Sequence, residues 1–198
     1  MMMPRIPGLA LAILPALLLG ACVASTRAPL FMDTGSWPLE IERIALVELS
    51  FDRRYRPPPQ SELVVELRRV LKQELARKGY RLIIADRGEE ITEGVRSTAE
   101  LSARAPAEAD AVLALHIDFL VLPATLSERN PPPEAEIAGE ARLISRLETR
   151  QLWRDRGDGR GGGAAAMPVV DASSLRQEAL ANLVSELFVT LPGKSVDQ

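Results

Sequence analysis

Few side chains in this sequence could carry chemistry, and the two rarest set its limits. Cys22 is the only cysteine and His116 the only histidine. One cysteine per chain excludes an internal disulfide and a cysteine-built metal centre. A lone histidine cannot build a multi-histidine metal site, and no nucleophile stands near His116 in the sequence, so no catalytic triad is expected. On a strand, His116 would share a face with Asp118, a pair able to orient a tautomer, although a histidine bordering the core satisfies the same pattern. Gly193-Lys194-Ser195 ends like a phosphate-binding loop but has Phe188 where that pattern requires glycine. Arg156-Gly157-Asp158 and Arg160-Gly161-Gly162 lie in a segment made largely of those residue types, without the regular acidic spacing of a calcium loop. Carboxylates are adjacent at Glu89 and Glu90 and near one another at Glu134 and Glu136, which does not place them across a substrate. No catalytic residue, metal or cofactor is expected, and the chain reads as a non-enzyme.

The element that positions Cys22 is an apolar run. Arg5 precedes Pro7 to Leu19, a stretch too short and too rich in proline and glycine for a membrane-spanning helix but of the length of a signal-peptide core. Leu19-Gly20-Ala21-Cys22 closes it and resembles the lipobox of bacterial lipoproteins. That resemblance implies cleavage before Cys22 and acylation of Cys22, with Leu19, Gly20 and Ala21 read by the signal peptidase. Three hydrocarbon chains would hold such a protein to a membrane essentially without release. With Val23 rather than aspartate after the cysteine, the resemblance also implies the periplasmic face of an outer membrane.

The 198 residues, less a signal peptide over 1–21, leave enough chain for one domain of ordinary size and a lipidated tether at 22–39. A formal net charge of −3 gives no basic field, so nucleic acid is not an expected partner. Residues 23–37 show no sustained period and read as a tether that could span about 50 Å, with Leu30, Phe31, Met32 and Trp37 too apolar to be wholly solvated.

An α/β domain is expected over 40–192. Its fold class is a mixed sheet in two or three layers, with strand-helix-strand units and a C-terminal hairpin plus helix. The branched run at 41–49 predicts a strand buried on both faces. Ser61 caps a helix whose Leu63, Val64, Leu67, Val70, Leu71 and Leu75 share one face, with Gly79 as its stop and Glu74–Lys78 as a pair on its solvated side. A strand at 80–85, a weaker helix at 97–109 and a central strand at 111–122 follow. Alternation over 136–147 predicts a strand with one wetter face, suited to an edge or antiparallel position, and Leu152-Trp153-Arg154 begins its hairpin partner. Asp155 to about Ala172 is expected as a flexible glycine-rich loop. A last helix starts at Ser173 or Ser174 and ends by Pro192, before a polar tail at 193–198.

If the strands at 41–49 and 111–122 are parallel neighbours, the loops after them emerge at one edge of the sheet, where open α/β sheets bind ligands. Each loop holds three consecutive prolines, Pro57-Pro58-Pro59 and Pro131-Pro132-Pro133. Arg53, Arg54, Tyr55, Arg56, Arg129 and Asn130 would then gather on stiff supports, as a docking surface for an acidic or polymeric partner or as bare connectors.

The order of elements, with Lys78-Gly79-Tyr80, Ala109-Asp110-Ala111-Val112 and Leu152-Trp153, resembles a group of envelope lipoproteins. They include the curli-secretion lipoprotein and the lipoprotein activators of penicillin-binding proteins, which share a domain similar to the amino-terminal domain of TolB. The family's Asp-x-x-Thr-Gly turn is replaced here by Leu147-Glu148-Thr149-Arg150-Gln151. The resemblance implies an envelope protein partner and a scaffold, assembly or regulatory role. An auxiliary lipoprotein of lipid or solute transport is the rival, and would have an apolar groove.

Overall fold

The computed structural model describes residues 27–35, 37, 40–55, 61–85, 96–122, 134–162 and 172–194. The elements are β1 (Phe31–Met32), β2 (Arg43–Phe51), α1 (Glu62–Arg77), β3 (Arg81–Ile84), α2 (Thr98–Arg104), β4 (Ala111–Val121), β5 (Ala135–Ser145), β6 (Gln151–Gly161) and α3 (Ala172–Phe188). They build one six-stranded sheet in the order β1-β6-β5-β4-β2-β3. β2 runs parallel to both β3 and β4, and the pairs β4–β5, β5–β6 and β6–β1 are antiparallel. The mixed α/β sheet with its C-terminal hairpin and helix is the expected class.

Side-chain alternation along the strands sorts the molecule into layers. Leu113, Leu115 and Ile117 of β4 pack in the main core with the apolar faces of α1 and α3, while Val112 and Ala114 turn to the opposite face and meet Leu101 of α2. The second layer is thin because α2 has only seven residues. Its Ser97 nonetheless forms a full capping box with Glu100, satisfying donors that a short helix would otherwise leave open. The buried residues of α1 are the six that its periodicity selects, and Ser61 accepts from the Val64 N–H at its start.

The end of α1 is tied to the C-terminal segment. Gly79 takes φ +88°, a backbone that favours glycine, and Tyr80 is buried with its hydroxyl donating to the Pro192 carbonyl at 2.6 Å. Lys78 donates to the Leu191 carbonyl at 2.8 Å instead of reaching Glu74, whose partner is Arg77. Glu62 and Glu66 are likewise not simply solvated, because Arg176 of α3 reaches both, at 3.0 and 2.8 Å. The expected polar tail begins docked, with the Lys194 N–H donating to the Lys78 carbonyl at 2.9 Å.

Two segments differ from expectation. The stretch expected as a loop from Asp155 is strand as far as Gly161, so β6 is an eleven-residue strand with ten residues paired along β5. Its odd positions 155, 157, 159 and 161 are buried and its even positions 154 to 160 are exposed. The glycines are there for space. A Cβ on Gly157 would stand 2.8 Å from the Leu187 nitrogen, and one on Gly159 would overlap the Ala179 carbonyl oxygen and the Leu183 nitrogen. Absent side chains let the α3 backbone lie directly on the strand. The β5 strand is also interior, flanked by β4 and β6, and so is antiparallel without being an edge.

The second difference is at the N-terminal side. Phe31–Met32 pairs with Arg154 and Trp153 as an edge strand, and the Asp33 N–H donates to the Leu152 carbonyl at 2.9 Å. The described part of the expected 15-residue tether is therefore docked on the domain, through Arg27, Phe31, Met32, Asp33 and Trp37. Met32 and Trp37 pack against the main core, which is why that stretch is too apolar for a linker.

Gly159→Ala forces a methyl group into helix backbone, and overpacking of a tight site costs about 1–3 kcal/mol or more. Urea denaturation of this variant is expected to show a loss at the upper end of that range. Gly35→Ala, where the nearest atom to an added Cβ is Asp33 Oδ1 at 3.8 Å, is expected to be close to neutral in the same assay.

Candidate functional site

Parallel pairing of β2 and β4 meets the condition for their following loops to share a sheet edge. The chain leaving β2 is held there by the Asp52 N–H, which donates to the Ile117 carbonyl of β4 at 2.8 Å. A single 3-10 turn, Arg53–Tyr55, follows. Tyr55 packs edge-on against Phe119 of β4 with ring centroids 6.0 Å apart, so the first loop is physically joined to the end of the strand that feeds the second. The Arg54 guanidinium pairs with Asp52 at 3.1 Å and lies over the Tyr55 ring at 5.3 Å. Backbone and side-chain hydrogen bonds from Arg54 hold the Asp52 carboxyl below its ordinary range. Arg53, Arg54 and Tyr55 thus sit together on this edge. Arg56, Arg129 and Asn130 lie outside the described residues, as do Leu19, Gly20, Ala21 and Cys22.

A second feature, invisible in the sequence, occupies the sheet face that α2 leaves uncovered. Two bulges create it. One between Leu46 and Glu48 shifts the β2 register so that Glu48 pairs with Ala114, and one between Ile117 and Phe119 accommodates Asp118. Residues opposite each other across a ladder share a face, so Glu48, Ala114, His116, Glu140 and Arg142 all point to the same side. Together with Asp118, Gln151 and Arg154 they line a cavity of about 230 Å³. His116 and Asp118 do share this face.

Glu48 is 1% exposed, with Arg142 and Arg96 at 3.9 and 3.8 Å. Those distances are ionic without being hydrogen bonds, and Oε2 has no hydrogen-bond partner among the described residues. Burial pushes the Glu48 carboxyl above its ordinary value, with both arginines opposing the shift. Asp118 gives one oxygen to Arg156 at 2.7 Å and has its other, Oδ1, buried without a hydrogen bond. Two carboxylate oxygens beside the cavity are thus buried without a hydrogen bond among the described residues.

His116 has a neighbour the sequence did not suggest. Ser50 Oγ lies 3.0 Å from His116 Nδ1 and 3.5 Å from the Leu115 carbonyl. Ser50 is fully buried in β2 and is not part of the cavity wall, so its hydroxyl is placed to orient the imidazole. The signal available in the sequence was a glutamate and a serine inside an otherwise branched, apolar run. The register shift that turns them inward was not encoded in any local pattern.

A third constellation anchors the N-terminal segment. Asp155 is 1% exposed, and its Oδ2 accepts from Thr190 at 2.6 Å while Oδ1 accepts from the Arg156 N–H at 2.8 Å and from Arg27 at 2.9 Å. The same threonine accepts from the Trp153 indole at 3.0 Å. Arg27 also pairs with Glu186 of α3. Among the described residues no group of three or more histidine, cysteine, aspartate or glutamate side chains could hold a metal ion.

No protein-family model and no curated protein matches the chain. Similarity is found among solved structures. A variant of the PelC dodecamer from Paraburkholderia phytofirmans has TM-score 0.50 at 10% identity, over 84% of this chain and 96% of that one. Lipoprotein GNA1162 from Neisseria meningitidis has TM-score 0.43 at 16% identity, covering 64% of this chain and 87% of its own. The C-terminal domain of LpoB from Salmonella enterica has TM-score 0.39 at 12% identity, covering 59% and 81%. The PelC likeness, which spans most of this chain and nearly all of that one, is one of fold.

Because its folded value is raised, ionised Glu48 weakens the fold. The stability that neutral Glu48 contributes is complete below the ordinary glutamate value and is lost as pH rises through the raised one. Thermal melts of wild type and Glu48→Gln at about pH 4 and about pH 8 are expected to show wild type losing ground to the variant as pH rises. An equal difference at both pH values would refute the assignment.

Proposed function

We propose that this protein is a lipoprotein held by acylated Cys22 at the periplasmic face of an outer membrane, where it serves as a non-enzymatic scaffold or assembly factor for an envelope complex. The observation that carries the docking role is the parallel β2–β4 pair. It brings the Arg53–Tyr55 turn onto the end of β4, on a support stiffened by Tyr55 against Phe119. Exposed Arg53 and Arg54 there would offer guanidinium groups to a partner, and arginine suits carboxylate recognition because its planar fork donates two parallel hydrogen bonds. An acidic protein surface fits that chemistry. Burial of Ser50 beside His116 supports a non-catalytic reading, since a nucleophile must reach its substrate. Auxiliary duty in lipid transport calls for an apolar groove, and the cavity on the described open face is lined by Glu48, His116, Asp118, Glu140, Arg142 and Arg154 beside Ala114 and Gln151.

Two measurements test this. Metabolic labelling with a fatty-acid analogue is expected to mark wild type, while Cys22→Ser stays unlabelled and unprocessed; labelled Cys22→Ser would remove the anchor. A photo-crosslinking residue in place of Arg54 is expected to capture an envelope protein in intact cells, with capture abolished by Arg53→Glu. Recovery of lipid alone, or of transporter subunits, would replace the scaffold reading with the transport one.

A further inference from the structure

The N-terminal segment is fastened to the domain at one edge, and this dictates which surface faces the anchor. Arg27 is held by Asp155 and Glu186. Asp155 is almost wholly buried, so detaching Arg27 would leave a desolvated carboxylate without its counter-charge. The tie is therefore a fixed point. Cys22 stands five residues before it, and five residues reach at most about 18 Å when fully extended. An acylated Cys22 lies at the membrane interface. The β1–β6 edge is then tethered within that distance of the bilayer, whereas β3 is the opposite end of the sheet, five strand spacings or about 24 Å from β1.

The surface at the near edge suits a lipid interface. Leu30 is 60% exposed and Phe31 41% exposed, consecutive apolar residues on the outermost strand and its approach. Phe31 lies opposite Arg154, so the aromatic ring shares the open sheet face with an arginine that is half exposed. Leucine and phenylalanine are residue types that enter the boundary between headgroups and acyl chains, while arginine lays its stem on apolar surface and keeps its guanidinium wet.

We propose that the β1–β6 edge is a membrane-apposed surface, with Leu30 and Phe31 entering the headgroup region of a phospholipid bilayer beside Arg27 and Arg154. This rests on the acylated anchor proposed above. The domain lies on the membrane with a defined edge down, and the Arg53–Tyr55 turn, which leaves β2 three strands beyond β6, is directed to a partner and not to lipid.

The test uses the full acylated protein in vesicles of phosphatidylethanolamine and phosphatidylglycerol. Acylated Cys22 is unreactive, so Leu30→Cys and Ile84→Cys each offer one thiol for a fluorophore, at the near edge and on exposed β3 respectively. With headgroup-spin-labelled lipid, the label at 30 is expected to be quenched several-fold more than the label at 84. Adding Arg27→Glu, which repels Asp155, is expected to erase that difference. Equal quenching at both sites, or a difference that survives Arg27→Glu, would overturn the proposal while leaving the anchor intact. Mass spectrometry showing Cys22 unacylated would overturn the anchor and the proposal together.

Discussion

The contact on which most of this structure depends is the seating of α3 directly on β6. Helices usually stand off a sheet by the length of their interleaved side chains. Here Gly157, Gly159 and Gly161 present bare backbone, and the helix settles onto it along its length. That approach stacks Phe188 on Trp153 at 5.5 Å, with the rings 19° from parallel. It also brings Thr190 between the Trp153 indole and Asp155. A buried carboxylate then needs a cation, and Arg27 supplies it from the far end of the chain. Core packing and the placement of the N-terminal segment are thus consequences of the same three missing side chains.

The opposite face of the sheet follows different physics. Only short α2 covers it, so beyond Ala45, Val47, Val112 and Ile144 the strands carry charge. Antiparallel register decides how those charges meet. Glu136 and Arg160 are direct partners and pair at 3.0 Å. Arg142 and Arg154 also stand opposite one another, a repulsive arrangement. Each turns away to relieve it: Arg154 leans diagonally to Glu140 at 2.6 Å, and Arg142 turns toward Glu48 and the Arg96 carbonyl. Exposed pairs of this kind add little stability, typically ~0.2–1 kcal/mol each. Their effect is to order a polar basin around Glu48, whose ionisation is opposed by burial and favoured by the arginines around it.

Much of the fold could be read in advance because its signals are local. The face of α1, its Ser61 cap and its Gly79 stop are set by spacings within a single helix, and the start of β4, Ala111 to Leu115, is apolar on both sides because both sides are covered there. Misreadings arose where a residue's meaning depends on what lies above it. Glycines in β6 look like flexibility until α3 is placed over them, although the alternation of Arg154, Arg156, Asp158 and Arg160 with Gly157, Gly159 and Gly161 was a period-two signal. Lys78 looked like the partner of Glu74 by helical spacing, but Leu191 offered it a carbonyl from the other end of the chain.

By itself, then, the sequence determined the class of fold, the order and most of the bounds of its elements, and the scarcity of chemistry in a chain with one cysteine and one histidine. These follow from periodicity, capping residues and composition, which need no knowledge of distant neighbours. Tertiary structure alone decided that Glu48 is buried beside two arginines, that Ser50 orients His116, and that Arg27 closes on Asp155. Each of those joins residues dozens of positions apart, through bulges and close backbone contact that local pattern does not encode. Phe31 and Met32 make the point most plainly: their apolar character was legible, but only the free edge of β6 turned them into a strand.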